Sequence, residues 1–109
     1  MNCCDSNSSE DLISTSPLPL AEEDIFISNI SKALSHEVRV QIVRYLIEED
    51  QCITGDFVKR LPYAQSTVSQ HLKILKDSKL LNVAYEGKKS FYCVNKETLR
   101  KFRALVASL

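Results

Sequence analysis

The fold of this chain is decided by the stretch Leu61-Pro62-Tyr63-Ala64-Gln65-Ser66-Thr67-Val68-Ser69-Gln70-His71-Leu72-Lys73-Ile74-Leu75-Lys76. Pro62 ends any helix before it, and the polar residues 65–67 suit the start of a new helix. Val68, Leu72 and Leu75 recur at positions i, i+4 and i+7, so one face of this helix packs on the domain. The stretch therefore predicts the turn and second helix of a helix-turn-helix.

The opposite face of this helix is polar. Its side chains are Ser66, Ser69, Gln70, Lys73 and Asp77. Apart from the aspartate, these are hydroxyl, amide and amine groups, which can hydrogen-bond base edges and phosphates in the major groove of DNA. A solvated amphipathic helix without a partner explains the pattern equally well, so the residues that follow decide between the two.

A two-stranded hairpin follows this helix directly. Residues 80–85 alternate weakly, Gly87 allows a tight turn, and residues 89–95 contain the strand-forming run Phe91-Tyr92-Cys93-Val94. A helix followed by a ribbon with two lysines at its tip is the order of a winged helix-turn-helix. An ordinary hairpin with solvated lysines is the weaker alternative here. The candidate DNA contacts are Gln65, Ser66, Thr67, Ser69, Gln70, His71 and Lys73 on the helix and Lys88 and Lys89 on the wing.

Three pieces of the chain match a known pattern. They are Ala33-Leu34-Ser35-His36-Glu37-Val38-Arg39, then Gln65-Ser66-Thr67-Val68-Ser69-Gln70-His71-Leu72-Lys73, then Glu86-Gly87-Lys88-Lys89 with Phe91-Tyr92. With them, residues from about 30 to 95 resemble the ArsR/SmtB family of bacterial repressors, for which the Ser-x-His-Leu element at residues 69–72 is specific. The resemblance implies a homodimeric winged helix that leaves its double-stranded operator DNA when an inducer binds.

Length and composition indicate one ordinary globular domain. The chain has 109 residues, of which 44% are hydrophobic and 26% charged, and a domain of this size gains from dimerising. No stretch has the apolar length of a membrane span, and the first residues lack the basic start of a signal peptide. We therefore expect a cytoplasmic protein without a membrane partner, whose four cysteines are thiols or ligands and not structural disulfides.

The formal net charge of zero conceals a strong asymmetry along the chain. Residues 1–31 contain six acids and no base, whereas residues 65–109 contain nine bases against three acids, a net charge of +6. A localised positive patch is the electrostatic signature expected of a nucleic-acid-binding surface. The charge distribution therefore agrees with the helix and wing in favouring DNA.

The pattern predicts a mainly α fold with a small β-hairpin, composed of five helices plus the wing. Residues 1–19 are rich in Ser, Asp and Asn and predict a flexible arm, which leaves residues 20–109 for DNA binding and dimerisation. The helices are expected at about 21–33, from Ser35 as N-cap to 49, at 54–60, at 66–78, and from Asn95 as N-cap to near the C-terminus. Val38, Ile42, Tyr45, Leu46 and Phe57 are expected in the core.

The first and fifth predicted helices carry apolar stripes without an obvious partner in the helix-turn-helix. Such stripes suggest a self-complementary dimer seam, although part of each also covers the core of its own protomer. The family resemblance likewise implies a dimer built from these two helices. The predicted seam residues are Ile27 and Ile30 on the first helix and Leu99, Phe102, Leu105 and Val106 on the fifth.

The two histidines and the family pattern argue against zinc. His36 lies at a helix start and His71 beside an apolar position, so both are expected to be hydrogen-bonding structural residues. In the family, an interfacial zinc site uses Asp and His on the fifth helix, and this chain has neither there. Zinc sensing at that place is therefore not expected.

The cysteines leave three possibilities for an inducer. Some relatives that sense soft metals or arsenite carry a Cys-x-Cys pair where this chain has Cys52 and Thr54, so the pair is broken. A soft ion such as As(III) or Cd(II) could still use Cys52 with Cys3 and Cys4, because soft ions prefer thiolates. Alternatively, two thiols, Cys93 among them, could respond to oxidants or sulfur species. The third possibility is that the cysteines sense nothing.

The sequence therefore predicts a sequence-specific DNA-binding transcriptional regulator, in the form of a repressor released by an inducer. No nucleophile–base–orienter set is apparent, and with only two glycines there is no Gly-rich phosphate loop, so an enzyme is not expected. The alternative is a winged-helix protein-interaction or dimerisation module without a DNA role. The lysines at positions 73, 88 and 89 favour DNA.

Overall fold

The computed structural model describes residues 17–109, and the first 16 residues of the predicted arm, with Cys3 and Cys4, lie outside them. In chain order the elements are α1 (Glu22–Ala33), α2 (Glu37–Glu49), β1 (Ile53–Thr54), a 3₁₀ helix (Gly55–Arg60), α3 (Gln65–Asp77), β2 (Leu81–Glu86), β3 (Lys89–Val94) and α4 (Lys96–Ala107). The four α-helices, the 3₁₀ helix and the hairpin confirm the predicted mainly α, winged helix-turn-helix fold.

The sheet has one strand more than the hairpin that the sequence predicts. Its order is β1-β3-β2 and both pairings are antiparallel. Strand β1 has only two residues, which pair with Tyr92 and Phe91 of β3. The prediction of a helix from Thr54 was wrong by one residue for this reason, since Thr54 is extended and the 3₁₀ helix begins at Gly55.

The start of α2 differs from the prediction. The N-cap is His36 and not Ser35, because Nδ1 of His36 accepts a hydrogen bond from the Val38 amide at 3.1 Å. The hydroxyl of Ser35 instead donates to the Lys32 carbonyl oxygen at 2.7 Å, at the end of α1. The predicted cap of the last helix is confirmed, since the Asn95 side chain accepts from the Thr98 amide at 3.2 Å.

The core lies where α2, α3 and the base of the wing meet. Its fully buried side chains include Ile42 and Leu46 of α2, Leu75 of α3, and Leu80 and Leu81 at the start of the wing. Val38 and Phe57 are also buried, and Tyr45 packs against the core from its edge, as the sequence predicts. Burying such side chains stabilises by about 1.5–3 kcal/mol each, so this core fixes α3 to the wing.

Arg39 of α2 connects α1 to α3. Its Nε donates to the carbonyl oxygen of Ala33 at 2.7 Å, its Nη1 donates to Nδ1 of His71 at 3.0 Å, and its Nη2 donates to the carbonyl oxygen of Lys32 at 3.3 Å. The C-terminal carbonyls of α1 are groups that the helix itself leaves unpaired. One guanidinium therefore satisfies that helix end and positions α3.

Helices α1 and α4, the first and last of the described elements, pack on each other beside the sheet. The Lys101 ammonium lies 4.5 Å from the centre of the Phe26 ring, and Leu99 and Phe102 pack against the core. No residue of α4 is fully buried, whereas Ile30 of α1 is 1% exposed. Ile30 therefore belongs to the core of its own protomer, which removes it from the predicted dimer seam.

Candidate nucleic-acid interface

Helix α3 presents its polar residues to solvent. It begins at Gln65 after Ala64, which occupies the N-cap position without a side-chain hydrogen bond, so the polar residues 65–67 form the first turn and do not provide the cap. Val68, Leu72 and Leu75 are buried against the core, which confirms the apolar face. The exposed side chains of the first two and a half turns are Gln65, Ser66, Thr67, Ser69, Gln70 and Lys73.

His71 does not lie on that exposed face, although it was among the predicted DNA contacts. Its side chain is buried and accepts the hydrogen bond from Arg39, and its ring centre lies 4.4 Å from that of His36. Burial lowers the pKa of His71, and the charges of His36 and Arg39 lower it further. These contacts favour a neutral imidazole with a structural role, which is the other role that the sequence predicts for His71.

The wing turn is formed by residues 86–89. Gly87 has a φ of +64°, a conformation that L side chains rarely adopt, and Glu86 pairs with Lys89 across the turn in the strand register. The side chains of Lys88 and Lys89 are exposed. Next to this turn, the Lys76 ammonium of α3 lies 5.9 Å from the centre of the Tyr85 ring, so helix and wing are in direct contact.

Helix and wing residues line one groove of about 280 Å³, to which the 3₁₀ helix contributes a third wall. Gln65 and Ser69 come from α3, and Lys88 and Lys89 come from the wing. The walls are close together, because a Cβ added to Gly55 would lie 3.1 Å from Oγ of Ser90. The structure thus brings together side chains of α3 and of the wing that are far apart in the chain.

Three lysines of this surface are available to contact an external anion. Among residues 17–109, the three ion pairs are Lys59–Asp56, Lys96–Asp50 and Arg100–Glu97. Lys73, Lys88 and Lys89 take part in none of them. Exposed hydroxyl and amide groups next to uncompensated lysines can contact base edges and phosphates respectively.

The two cysteines of the described residues line a different pocket from the groove between α3 and the wing. Cys52 is exposed just before β1, and Cys93 is partly buried on β3. Both line a pocket of about 660 Å³ between α2, the sheet and α4. Burial and the adjoining Cys52 thiol raise the pKa of Cys93 to about 11. A reaction between Cys52 and Cys93 was one of the possibilities left open by the sequence, but the β1–β3 pairing that brings the two residues together was not predicted.

Metal ligands are not concentrated in the described part of the chain. Nowhere in residues 17–109 do three or more His, Cys, Asp or Glu side chains come together as a group that could hold an ion. The predicted thiolate site of Cys3, Cys4 and Cys52 has two of its three members outside these residues, so it stays a prediction.

A helix and a hairpin that share a polar, cationic groove define a winged helix-turn-helix DNA-binding protein. Residues 36–83 match the model of a family described as bacterial regulatory protein, arsR family. This chain belongs to the ArsR family and is a DNA-binding transcriptional regulator. Membership of this family favours DNA-binding regulation over the alternative, an interaction module without a DNA role.

Two relatives and one solved structure illustrate the similarity. The arsenical resistance operon repressor of Staphylococcus xylosus is 33% identical over 67% of this chain and 69% of its own length. The transcriptional activator HlyU of Vibrio cholerae is 31% identical over 72% of this chain and 71% of its own length. A solved structure of Vibrio cholerae HlyU superimposes with a TM-score of 0.66 at 28% identity, covering 79% of this chain and 94% of that one.

These relatives are regulators and not enzymes, which agrees at the level of the family with the expectation from sequence. Within residues 17–109, no helix has both the length and the apolar character needed to span a membrane.

Proposed function

We propose that this protein is a homodimeric repressor in which α3 enters the major groove of operator DNA while the wing contacts phosphates. The observation that carries the proposal is the shared groove, lined by Gln65 and Ser69 of α3 and by Lys88 and Lys89 of the wing. The major groove admits one α-helix, and exposed lysines beside that helix are then within reach of the flanking backbone. His71 is not among the proposed DNA contacts, because its side chain is buried.

Gln70→Ala tests the role of α3 in base recognition. An amide can make a bidentate contact with adenine, so we expect the variant to lose about 1–3 kcal/mol of discrimination between operator and scrambled DNA. Binding of both duplexes is measured by gel shift at one fixed salt concentration, with DNA from the promoter of the protein's own gene. Gln51→Ala, an exposed glutamine outside the groove, is the matched control. Unchanged discrimination by the Gln70 variant would exclude this residue as a base contact.

Replacing Lys88 and Lys89 together by Ala tests the wing. Each phosphate contact that is lost should make the dependence of log K on log salt shallower by about 1, so we expect a reduction of roughly 2 per protomer with little change in sequence preference. Replacing Lys32 and Arg44 together by Ala removes the same charge outside the groove, from exposed side chains that make no ion pair among residues 17–109, and should leave the slope unchanged. If both double variants shift the slope equally, the effect reflects net charge and the wing does not touch DNA.

The dimer is proposed to form through α1 and α4. Large apolar side chains remain exposed along these helices and next to them, namely Leu20, Ile25, Val106 and Leu109. Two copies related by a twofold axis would cover these side chains with the same surface of the partner. Of the seam residues predicted from sequence, Ile27, Leu105 and Val106 fit this proposal best.

A soft metal or metalloid is one candidate inducer. The name of the Staphylococcus xylosus relative, an arsenical resistance operon repressor, supports it by analogy. Cys52 would hold the ion together with Cys3 and Cys4, because three thiolates suit a soft trivalent or divalent ion. Such an ion releases DNA only if it binds the free protein more tightly than the DNA-bound protein.

A further inference from the structure

The register of the sheet places Cys52 opposite Cys93. Strands β1 and β3 are antiparallel, with Ile53 opposite Tyr92 and Thr54 opposite Phe91. One step further along the same register, the residue opposite Cys52 is Cys93. Directly opposite residues of an antiparallel pair have Cα atoms about 4.5–5.5 Å apart, which lies within the range of about 4.4–6.8 Å that a disulfide spans.

The two side chains also point to the same side of the sheet. Opposite residues of a strand pair share a face, and both cysteines line the pocket of about 660 Å³ between α2, the sheet and α4. The effect of Cys52 on the pKa of Cys93 agrees with this, because it requires the two sulfur atoms to be neighbours.

The two thiols differ in access to solvent. Cys52 is exposed and Cys93 is partly buried, and burial is the main reason that the pKa of Cys93 is raised to about 11. Reactivity towards oxidants follows thiolate character and exposure. Cys52 is therefore the thiol that an oxidant meets first, while Cys93 stays protonated beside it.

We propose that Cys52 and Cys93 form a reversible disulfide when the protein meets a peroxide, and that this oxidation changes affinity for DNA. The Cys52 thiolate attacks one peroxide oxygen, the O–O bond breaks, and after proton uptake water leaves and Cys52 is a sulfenic acid. The Cys93 sulfur then attacks the Cys52 sulfur, the S–O bond breaks, and the Cys93 proton leaves with the hydroxide as a second water. Two thiols thereby supply the two electrons that reduce one peroxide to two waters, and a dithiol reductant reverses the oxidation.

The position of this pair connects it to the DNA-binding surface. Cys52 directly precedes β1, which runs into the 3₁₀ helix, and Cys93 lies on the strand that starts with Lys89 of the wing. The disulfide would thus connect the start of the helix-turn-helix to the wing. It would lie near Gly55, where an added Cβ would be 3.1 Å from Oγ of Ser90 and 3.2 Å from the ring of Tyr92. This part rests on the proposed function, because it needs DNA contacts from both the wing and α3.

The chemistry is tested first, without DNA. In the full chain with Cys3→Ser and Cys4→Ser, only the two proposed cysteines remain, so hydrogen peroxide should lower the number of free thiols per chain from two to none. The mass should fall by two hydrogens, the chain should stay free of intermolecular crosslinks on a non-reducing gel, and dithiothreitol should restore both thiols. In this background Cys93→Ser should accumulate a Cys52 sulfenic acid that a dimedone probe traps. Retention of both thiols, or oxidation of Cys52 with Cys93 still free, would overturn the proposal.

The coupling is tested with the same Cys3→Ser, Cys4→Ser protein and its own promoter DNA. We expect the reduced and oxidised forms to differ at least tenfold in their affinity for DNA. By linkage, adding DNA should then shift the midpoint potential of the disulfide by about 30 mV for each tenfold difference in affinity. The same variant with Cys52→Ser should bind DNA as the reduced form does and ignore peroxide. If the disulfide forms but the reduced and oxidised proteins bind DNA with equal affinity, the coupling is refuted. Failure of the reduced protein to bind DNA would instead refute the proposed function, and the thiol count would still decide the disulfide.

Discussion

Leu105→Glu is expected to convert the proposed dimer into a folded monomer and to lower its affinity for operator DNA by roughly 100-fold or more, the scale of the avidity that linked binding modules lose on separation. Leu105 is only partly buried in the protomer and is not among the residues packed on the core. A carboxylate there enters the proposed apolar seam and must be desolvated when two copies meet. Sedimentation equilibrium and gel shift measure the two effects.

Position 105 is chosen because the change must leave the protomer intact. Phe102 packs against the core, so a glutamate there would unfold the domain and say nothing about the seam. Ala104→Glu is the matched control, because Ala104 is exposed and lies on the opposite side of α4 from Phe102. A Leu105→Glu protein that is folded by circular dichroism and still sediments as a dimer would show that the copies meet through another surface.

The DNA-binding part of the fold was predictable because its signals are local. The buried positions Val68, Leu72 and Leu75 recur at helical spacing, and Gly87 is at the turn between two strand-forming runs. Each of these patterns lies within one element and its flanking turn, so a single window of sequence contains all that determines it. The groove between helix and wing then follows from the order of the elements along the chain.

What the sequence did not reveal depends on contacts between distant residues. Strand β1 has two residues and exists only because β3 provides its partner, so no periodicity marks it, and the adjacency of Cys52 and Cys93 was missed with it. The sequence left two roles for His71, a DNA contact and a hydrogen-bonding structural residue, since both a solvent-facing and a buried position suit one residue at a helix edge. The structure shows the buried position, in which His71 accepts a hydrogen bond from Arg39, 32 residues earlier in the chain.

Arg39→Met is expected to lower the free energy of unfolding by about 2–4 kcal/mol, the scale of one or two hydrogen bonds to a charged group. Methionine retains an unbranched apolar stem but cannot donate to the carbonyl oxygens of Lys32 and Ala33 or to Nδ1 of His71. Urea unfolding followed by circular dichroism measures the loss, with the m-value as a check that the transition stays two-state.

Arg44→Met is the control that separates the loss of a positive charge from the loss of the hydrogen bonds between α1, α2 and α3. Arg44 is exposed on the same helix and, among residues 17–109, makes no ion pair. Its replacement by methionine therefore removes the same charge, keeps the helix propensity, and breaks no bond between elements. We expect its effect to stay within about 0.5 kcal/mol, as for surface positions in general. Because Arg39 connects the end of α1 to the buried side of α3, its loss should also weaken operator binding when measured well below the unfolding transition. Equal stability losses in the two variants would mean that Arg39 contributes only its charge and not its hydrogen bonds, because arginine and methionine are equally good helix formers. The position of α3 would then depend on the apolar core alone.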